Sequence, residues 1–307
     1  MRTLNHNLTW MSESLGSFIA ELSLSKSKPT VEAYRYDVGK FLEYISDSKK
    51  VRRINAIKPV HIVDYLGQCK EAGKSEASIN RYYMAVRAYC RYLRKTKACD
   101  IDLTQDLTAP RMNQKAPFVP SVEEVNKILE MPNTKTFSGM RDKAILELLY
   151  SSGLRASELC DLKLEDYRET CVIVKCGKRS KTRTVPLTSE ASSTIKEYID
   201  RFRGTKPGYL FETVMKKQLR RQLLCVVVKG YAQKAQIAEV TTHTFRHACA
   251  THLLDEGADL RLIQEVLGHS SIASTQRYTQ LSSQKMEEMF NKFHPRKKEQ
   301  QKEVSNV

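Results

Sequence analysis

The sequence predicts a mainly α-helical chain with one small β-hairpin or sheet, a helical N-terminal part being followed by a mixed α/β part. Three observations carry that expectation. Apolar residues recur at i, i+3 and i+4 along most of the chain. Residues 108–120 lose this period and contain three prolines. Two β-prone runs, Cys171–Lys175 and Arg183–Leu187, flank a basic tip that contains Gly177. A length of 307 residues leaves room for two domains with separate cores, and the prolines divide them into residues 1–112 and 113–307.

In the first part, Thr30 precedes an apolar stripe of Val31, Tyr34, Val38, Phe41, Leu42 and Ile45, which reads as a helix start. Pro59 opens a second helix through Ile62, Tyr65 and Leu66, closed near Gly73. A third runs from Ala77 to about Lys95, with Ile79, Tyr83, Val86, Cys90 and Leu93 on one face. Its remaining positions carry Arg81, Arg87, Arg91, Arg94 and Lys95. Such a face is often only a solvated surface; in a chain of this charge it is assigned to phosphate contact.

In the second part, Ser121 and Glu124 form a capping-box pattern that opens a helix through Met131. Another spans about Arg141 to Ser152 and stops at Gly153. After the hairpin, helical patterns occupy 189–203, 214–235, 243–256 and 259–267. Residues 297–307 are charged and poor in apolar side chains, so an unstructured tail is expected there. No internal repeat is visible.

Composition narrows the partners. The formal net charge is +16, and residues 1–113, with 19 Lys and Arg against 12 Asp and Glu, supply +7 of it. Both parts are therefore basic, which points to a polyanion such as nucleic acid. No apolar run approaches the roughly 20 residues needed to cross a bilayer, and Met1–Trp10 lacks the pattern of a signal peptide. No membrane association is expected. The eight cysteines show no CxxC and read as reduced, mostly buried thiols of a cytoplasmic protein. His243 and His247 share a helix face, yet no Glu or Cys completes a zinc set, so no metal is assigned. Neither GxxxxGK[ST] nor GxGxxG is present, and no cofactor is expected.

Breaking a phosphodiester without a metal needs a nucleophile, a proton for the leaving oxygen, and positive donors where charge collects on the five-coordinate phosphate. Arginine suits the last task, being always charged and able to grip two oxygens. The sequence offers Arg155 after Gly153, Lys178 on the hairpin tip, His243 and Arg246 three apart on one helix face, His269, and Tyr278 nine residues later. Taken singly, each has an ordinary reading: a surface arginine, a core tyrosine, a capping histidine. Spacing alone does not join them into one site.

Gly153-Leu-Arg-Ala-Ser-Glu-Leu159, His243-Thr-Phe-Arg-His247 and Leu267-Gly-His-Ser-Ser-Ile-Ala-Ser-Thr-Gln-Arg-Tyr278 resemble the signature boxes of the tyrosine recombinases, most nearly those of the bacterial Xer type. Ala250–Arg261 is similar to the same branch, and the resemblance covers roughly residues 10–296. It implies a helical core-binding domain followed by a mixed α/β catalytic domain, clamped together around double-stranded DNA. It also implies that Arg155, Arg246 and His269 hold the scissile phosphate, that His243 supports proton transfer, and that Lys178 is the general acid. Tyr278 is then the nucleophile, forming a 3′-phosphotyrosyl link on the way to a Holliday junction. Further implications are a tetramer on two DNA sites, a second related recombinase as partner, and a bacterial setting at the nucleoid or on a plasmid.

One departure stands out. The family hairpin reads Gly-Lys-Gly, whereas Arg179 follows Lys178 here, which leaves Lys181 as an alternative acid. Phe293-His-Pro-Arg296 resembles the family's terminal segment, which docks on a neighbouring protomer; Met286, Met289, Phe290 and Phe293 supply an apolar face. Two rival functions use the same sequence. A type IB topoisomerase shares the phosphotyrosine chemistry without exchanging partners, and a DNA-binding accessory factor would carry a vestigial site. The complete Arg/Lys/His/Arg/His/Tyr set argues against the second.

Overall fold

The computed structural model describes residues 3–100, 102–110, 118–175, 182–237, 239–268, 289–290 and 292–297. The chain divides into two compact units, Met1–Lys115 and Ala116–Val307.

The described part of the first unit is helical: α1 (Thr3–Ser23), α2 (Lys28–Asp47), α3 (Pro59–Glu71) and α4 (Glu76–Lys95), with a 3-10 turn at Ile54–Ala56. Helix α1 was not among the expected elements. Its Met11, Phe18 and Ile19 are buried at helical spacing, a signal present in the sequence but interrupted by Ser and Gly. Helix α2 begins ahead of Thr30. Ser27 is extended, Pro29 occupies the first turn, where a missing N–H costs nothing, and Thr30 instead meets Ser27 Oγ at 2.8 Å. The core joins Val38, Phe41 and Ile45 of α2 to Ile62 of α3 and to Val86, Tyr89 and Leu93 of α4. Phe18 meets Tyr89 edge-on with ring centroids 5.4 Å apart. Tyr83 Oη donates to the Leu107 carbonyl at 2.7 Å, tying the segment after α4 to its base.

The second unit is built around α6 (Phe137–Ser152), in which every residue from Gly139 to Ser152 except the half-buried Lys143 is buried. It lacks an amphipathic stripe because it lies inside the unit, packed by α5 (Val122–Glu130), α8 (Ser189–Tyr198) and α10 (Thr242–Asp255). The Ser121–Glu124 capping box forms, with Ser121 N donating to Glu124 Oε2 at 2.8 Å and Glu124 N to Ser121 Oγ at 3.2 Å. Helix α6 starts four residues ahead of Arg141 because Thr136 Oγ1 caps it, accepting from Gly139 N at 3.1 Å. Around this core lie α7 (Ala156–Asp161), α9 (Arg221–Lys234), α11 (Leu260–Leu267) and a three-stranded antiparallel sheet. Strands β2 (Cys171–Lys175) and β3 (Thr182–Pro186) form the expected hairpin, and β1 (Tyr167–Arg168) adds an edge that the sequence reading lacked. The register pairs Val172 with Val185 and Val174 with Arg183, so these four share the inner face of the sheet.

The expected helix over 214–235 begins only at Arg221. Lys216 has φ +57°, a bridge pairs Glu212 with Gln218, and Gln218 Nε2 donates to the Cys160 carbonyl and to Asp161 Oδ1. The helix expected over 189–203 is α8 followed by a π-helical turn at Ile199–Arg203. Among the described residues no helix is long and apolar enough to cross a membrane.

Gly153 ends α6 in the left-handed region at φ +57°, and a Cβ placed there would stand 2.5 Å from Leu267 Cδ2. The close approach of the α6–α7 turn to α11 therefore requires glycine. Gly153→Ala is expected to destabilise the second unit by more than the roughly 1–2 kcal/mol of left-handed strain alone, read as a lowered urea midpoint. An unchanged midpoint would show that Leu267 yields freely.

Candidate active site

Three arginines from separate elements gather around one carboxylate. Arg155 is the N-cap of α7, held extended at φ −69°, ψ 148°, so its side chain leaves the α6–α7 turn rather than joining a helix surface. Its backbone N–H donates to Glu158 Oε2 at 2.9 Å and its Nη1 to Glu158 Oε1 at 3.0 Å. Nη2 reaches the Gly268 carbonyl at 3.4 Å. Arg183, on the inner face of β3, grips the same carboxylate as a fork, Nη1 to Oε1 at 3.0 Å and Nη2 to Oε2 at 2.9 Å. Arg246 comes from α10 and fastens two turns together, donating to the Gly153 carbonyl at 2.7 Å and the Leu267 carbonyl at 2.8 Å.

The electrostatics follow from this crowding. Burial by itself would raise the Glu158 pKa, but the hydrogen bonds from Arg183 and Arg155 and their charges outweigh it and hold the carboxyl at about 2. Arg246 is lowered to about 10, first by burial and then by Arg155, with Glu158 opposing and Arg183 adding to the repulsion. Glu158 is thus a carboxylate at neutral pH, facing three guanidiniums. The Arg155 side chain is 40 % exposed while those of Arg183 and Glu158 are 13 % and 11 % exposed, so Arg155 is the guanidinium presented outward. The cluster suits a phosphate-sized anion.

Of the residues singled out in the sequence, Arg155 and Arg246 meet in this cluster. His243 is the second residue of α10, exposed and one turn from Arg246. Lys178 and the alternative Lys181, His269 and Tyr278 lie outside the described residues. Gly268, immediately before His269, has φ +66°; its carbonyl accepts from Arg155, and a Cβ there would stand 2.8 Å from Arg183 Cζ. Glu158 and Arg183 were not identified as site residues. Glu158 lies within Gly153–Leu159 and Arg183 at the start of an expected strand, but nothing local indicates that they meet.

The described terminal segment, expected against a neighbouring protomer, packs on its own unit. Phe290 and His294 are fully buried; the His294 ring lies 5.1 Å from that of Tyr150, on α6, and Arg296 Nη2 pairs with Glu147 Oε1 at 2.7 Å. Burial pushes the His294 pKa down to about 3, so its imidazole is neutral. Met286 and residues 298–307 lie outside the described residues.

In the first unit, the arginines of α4 differ in exposure. Arg81, Arg91 and Arg94 are exposed, whereas Arg87 is half-buried. Arg81 Nη1 also lies 3.1 Å from Oδ2 of Asp37, a fully buried carboxylate whose pKa burial raises and Arg81 opposes. Arg81 therefore supports a buried group of its own unit.

Guanidiniums gathered at the junction of two helix ends and a hairpin suit a protein that binds phosphate-bearing partners. The chain belongs to the phage integrase family, the tyrosine recombinases, which break and rejoin DNA: residues 121–285 match that family and residues 15–97 match the phage integrase N-terminal SAM-like domain. It is 38 % identical over 283 residues to a tyrosine recombinase XerD of Staphylococcus saprophyticus, covering 90 % of this chain and 96 % of that one. A tyrosine recombinase XerD of Oceanobacillus iheyensis is 36 % identical over 279 residues, covering 88 % and 93 %. Among solved structures, the fold is like that of the XerH site-specific recombinase bound to its difH substrate (TM-score 0.69, 22 % identity, 91 % of this chain and 94 % of that one). It is also like a lambda integrase dimer bound to a core site (TM-score 0.71, 16 % identity, 88 % and 98 %).

Proposed function

We infer that this chain is a site-specific tyrosine recombinase acting on double-stranded DNA, with Arg155 and Arg246 holding the scissile phosphate. The observation that carries this is the convergence of the two arginines, 91 positions apart in sequence, on the Gly153 turn and the Leu267–Gly268 end of α11, the point from which the chain leads to His269 and Tyr278. In this reading the Tyr278 phenolate attacks phosphorus and the P–O5′ bond breaks. The 5′ oxygen takes a proton from Lys178, and the 3′ phosphate stays on the tyrosine. His269 joins the arginines on the non-bridging oxygens, and His243 supports proton transfer and charge neutralisation. A 5′ hydroxyl from the other duplex reverses the step, so no bond energy is lost and no nucleotide is consumed.

Exchanging strands between two duplexes needs four active sites, because each duplex presents two scissile phosphates. The assembly is therefore a tetramer on two sites joined through a Holliday junction, formed by this chain alone or with a related recombinase, in the bacterial cytoplasm at the nucleoid or on a plasmid. Residues 1–112 serve as the core-binding domain and 113–307 as the catalytic one. The test is a nicked suicide duplex carrying the site. A covalent protein–DNA band on a denaturing gel and exchange between two marked duplexes are expected. Relaxation of supercoils with no exchange would make the protein a topoisomerase, and binding without a covalent band would make it an accessory factor.

The α4 stripe is read as the phosphate-contacting face of the first domain. Each phosphate contact steepens the salt dependence of duplex affinity by roughly 0.9 units of log–log slope. Replacing Arg87, Arg91 and Arg94 with alanine is expected to flatten that slope by about two to three units, measured by fluorescence anisotropy across a salt series. An unchanged slope would return the stripe to ordinary solvated surface.

A further inference from the structure

We propose that Arg183 is a positioning residue for DNA cleavage, setting Arg155 through Glu158 and locking the return strand of the hairpin to the turn that precedes His269. This rests on the reading that Arg155 holds the scissile phosphate.

Four observations carry it. The antiparallel register puts Arg183 opposite Val174 on the inner face of the sheet, so its guanidinium leaves β3 toward the helices rather than toward solvent. There it meets Glu158 in a two-point fork at 2.9 and 3.0 Å. Glu158 in turn takes two bonds from Arg155, one from the backbone and one from the guanidinium. Finally, Arg183 Nε donates to the Val266 carbonyl at 3.4 Å, and a Cβ on Gly268 would lie only 2.8 Å from Arg183 Cζ. One side chain thereby touches the three elements that lead to Arg155, to the hairpin tip and to His269. An arginine held by a carboxylate that is itself held has fewer orientations open to it, and the entropy of aligning it on phosphate is met during folding.

The fork also explains why Glu158 can serve. A carboxyl with so little exposure favours its neutral acid, and neutral Glu158 would accept less strongly from Arg155. The charged groups facing it among the described residues are Arg155 on its own helix, Arg183 from β3 and Arg246 from α10. Arg183 supplies the largest opposition to burial, so removing it raises the Glu158 pKa and makes a previously silent group titrate.

The experiment is single-turnover cleavage of the suicide duplex at saturating protein, from about pH 5 to pH 9, by the full chain and by Arg183→Met, Arg183→Lys, Glu158→Gln and Arg183→Met/Glu158→Gln. Arg183→Met is expected to cleave roughly 10- to 100-fold more slowly, the range seen when a partner that orients a primary ligand is removed, with DNA affinity unchanged. The deficit should deepen as pH falls, because Glu158 becomes protonated. The double variant should lose this pH dependence and be no slower than the slower of the two single variants, whereas losses that add in full would mean that Arg183 acts independently of Glu158 and would overturn the proposal. Arg183→Lys, which keeps charge without the fork, should fall between. If Arg183→Met does not fold by circular dichroism, Arg183→Lys carries the same pH comparison. A folded variant with a wild-type rate, or a slowed one whose pH profile matches the wild type, would overturn the proposal. Arg155→Ala separates this from the parent reading: if it cleaves at the wild-type rate, the phosphate assignment fails, whereas a dead Arg155→Ala beside an unaffected Arg183→Met sinks only the positioning role.

Discussion

Tyr278→Phe is expected to bind its DNA site with wild-type affinity and to form no covalent adduct at all. The phenolic oxygen is the only atom removed, and a ring without it cannot bond to phosphorus, so the loss is total rather than graded. The arginine cluster is untouched by the change, and binding should persist. A denaturing gel of the variant on a suicide duplex is the measurement. An adduct from the variant would place the nucleophile elsewhere. Tyr231 is a poor substitute, since burial and the nearby Asp142 carboxylate push its phenol up to about 12 and its hydroxyl already donates to Asp142 Oδ2 at 3.2 Å.

The second large effect concerns the leaving oxygen. Loss of a positioned general acid slows a reaction by roughly 10² to 10⁴-fold, and Lys178→Ala is expected to lie in that range. A duplex with sulfur in place of the 5′ bridging oxygen has a leaving group that scarcely needs a proton. Cleavage of that duplex by Lys178→Ala should therefore recover to near the wild-type rate, while the same sulfur should leave Arg155→Ala defective, because its missing charge acts on the non-bridging oxygens. The Gly177-Lys178-Arg179 tip makes the comparison with Lys181→Ala decisive. If sulfur rescues Lys181→Ala and not Lys178→Ala, the acid is Lys181.

The segment at Phe290–Arg296 changes how its removal should be interpreted. With Phe290 and His294 buried against α6 of the same unit, truncation before it strips cover from Tyr150 and leaves Glu147 without Arg296. Any loss of assembly in such a variant must first be separated from loss of stability in the unit itself.

Much of the fold was legible because helices and caps are written in contiguous residues. The stripe from Val31 to Ile45, the face of Ile79 to Leu93, and the Ser121–Glu124 box each encode their element locally. Elsewhere tertiary contacts override the period: residues 214–220 have an apolar spacing compatible with helix, yet Gln218 is held by the end of α7 and Lys216 turns left-handed. The family boxes name Arg155, His243 and Arg246; of these, Arg155 and Arg246 meet in the arginine cluster and His243 lies one turn away on α10, and the fold is like that of the XerH recombinase.

By itself, then, the sequence determined the helical class, the basic charge and the family to which the chemistry belongs. What only the tertiary structure decided is which of the many arginines meet. Glu158 and Arg183 are 25 positions apart, and Arg155 and Gly268 are 113. Their meeting depends on the strand register that turns Arg183 inward and on two glycines that let helix ends approach. Such long-range closure is set by packing of the whole unit, for which no local periodicity exists.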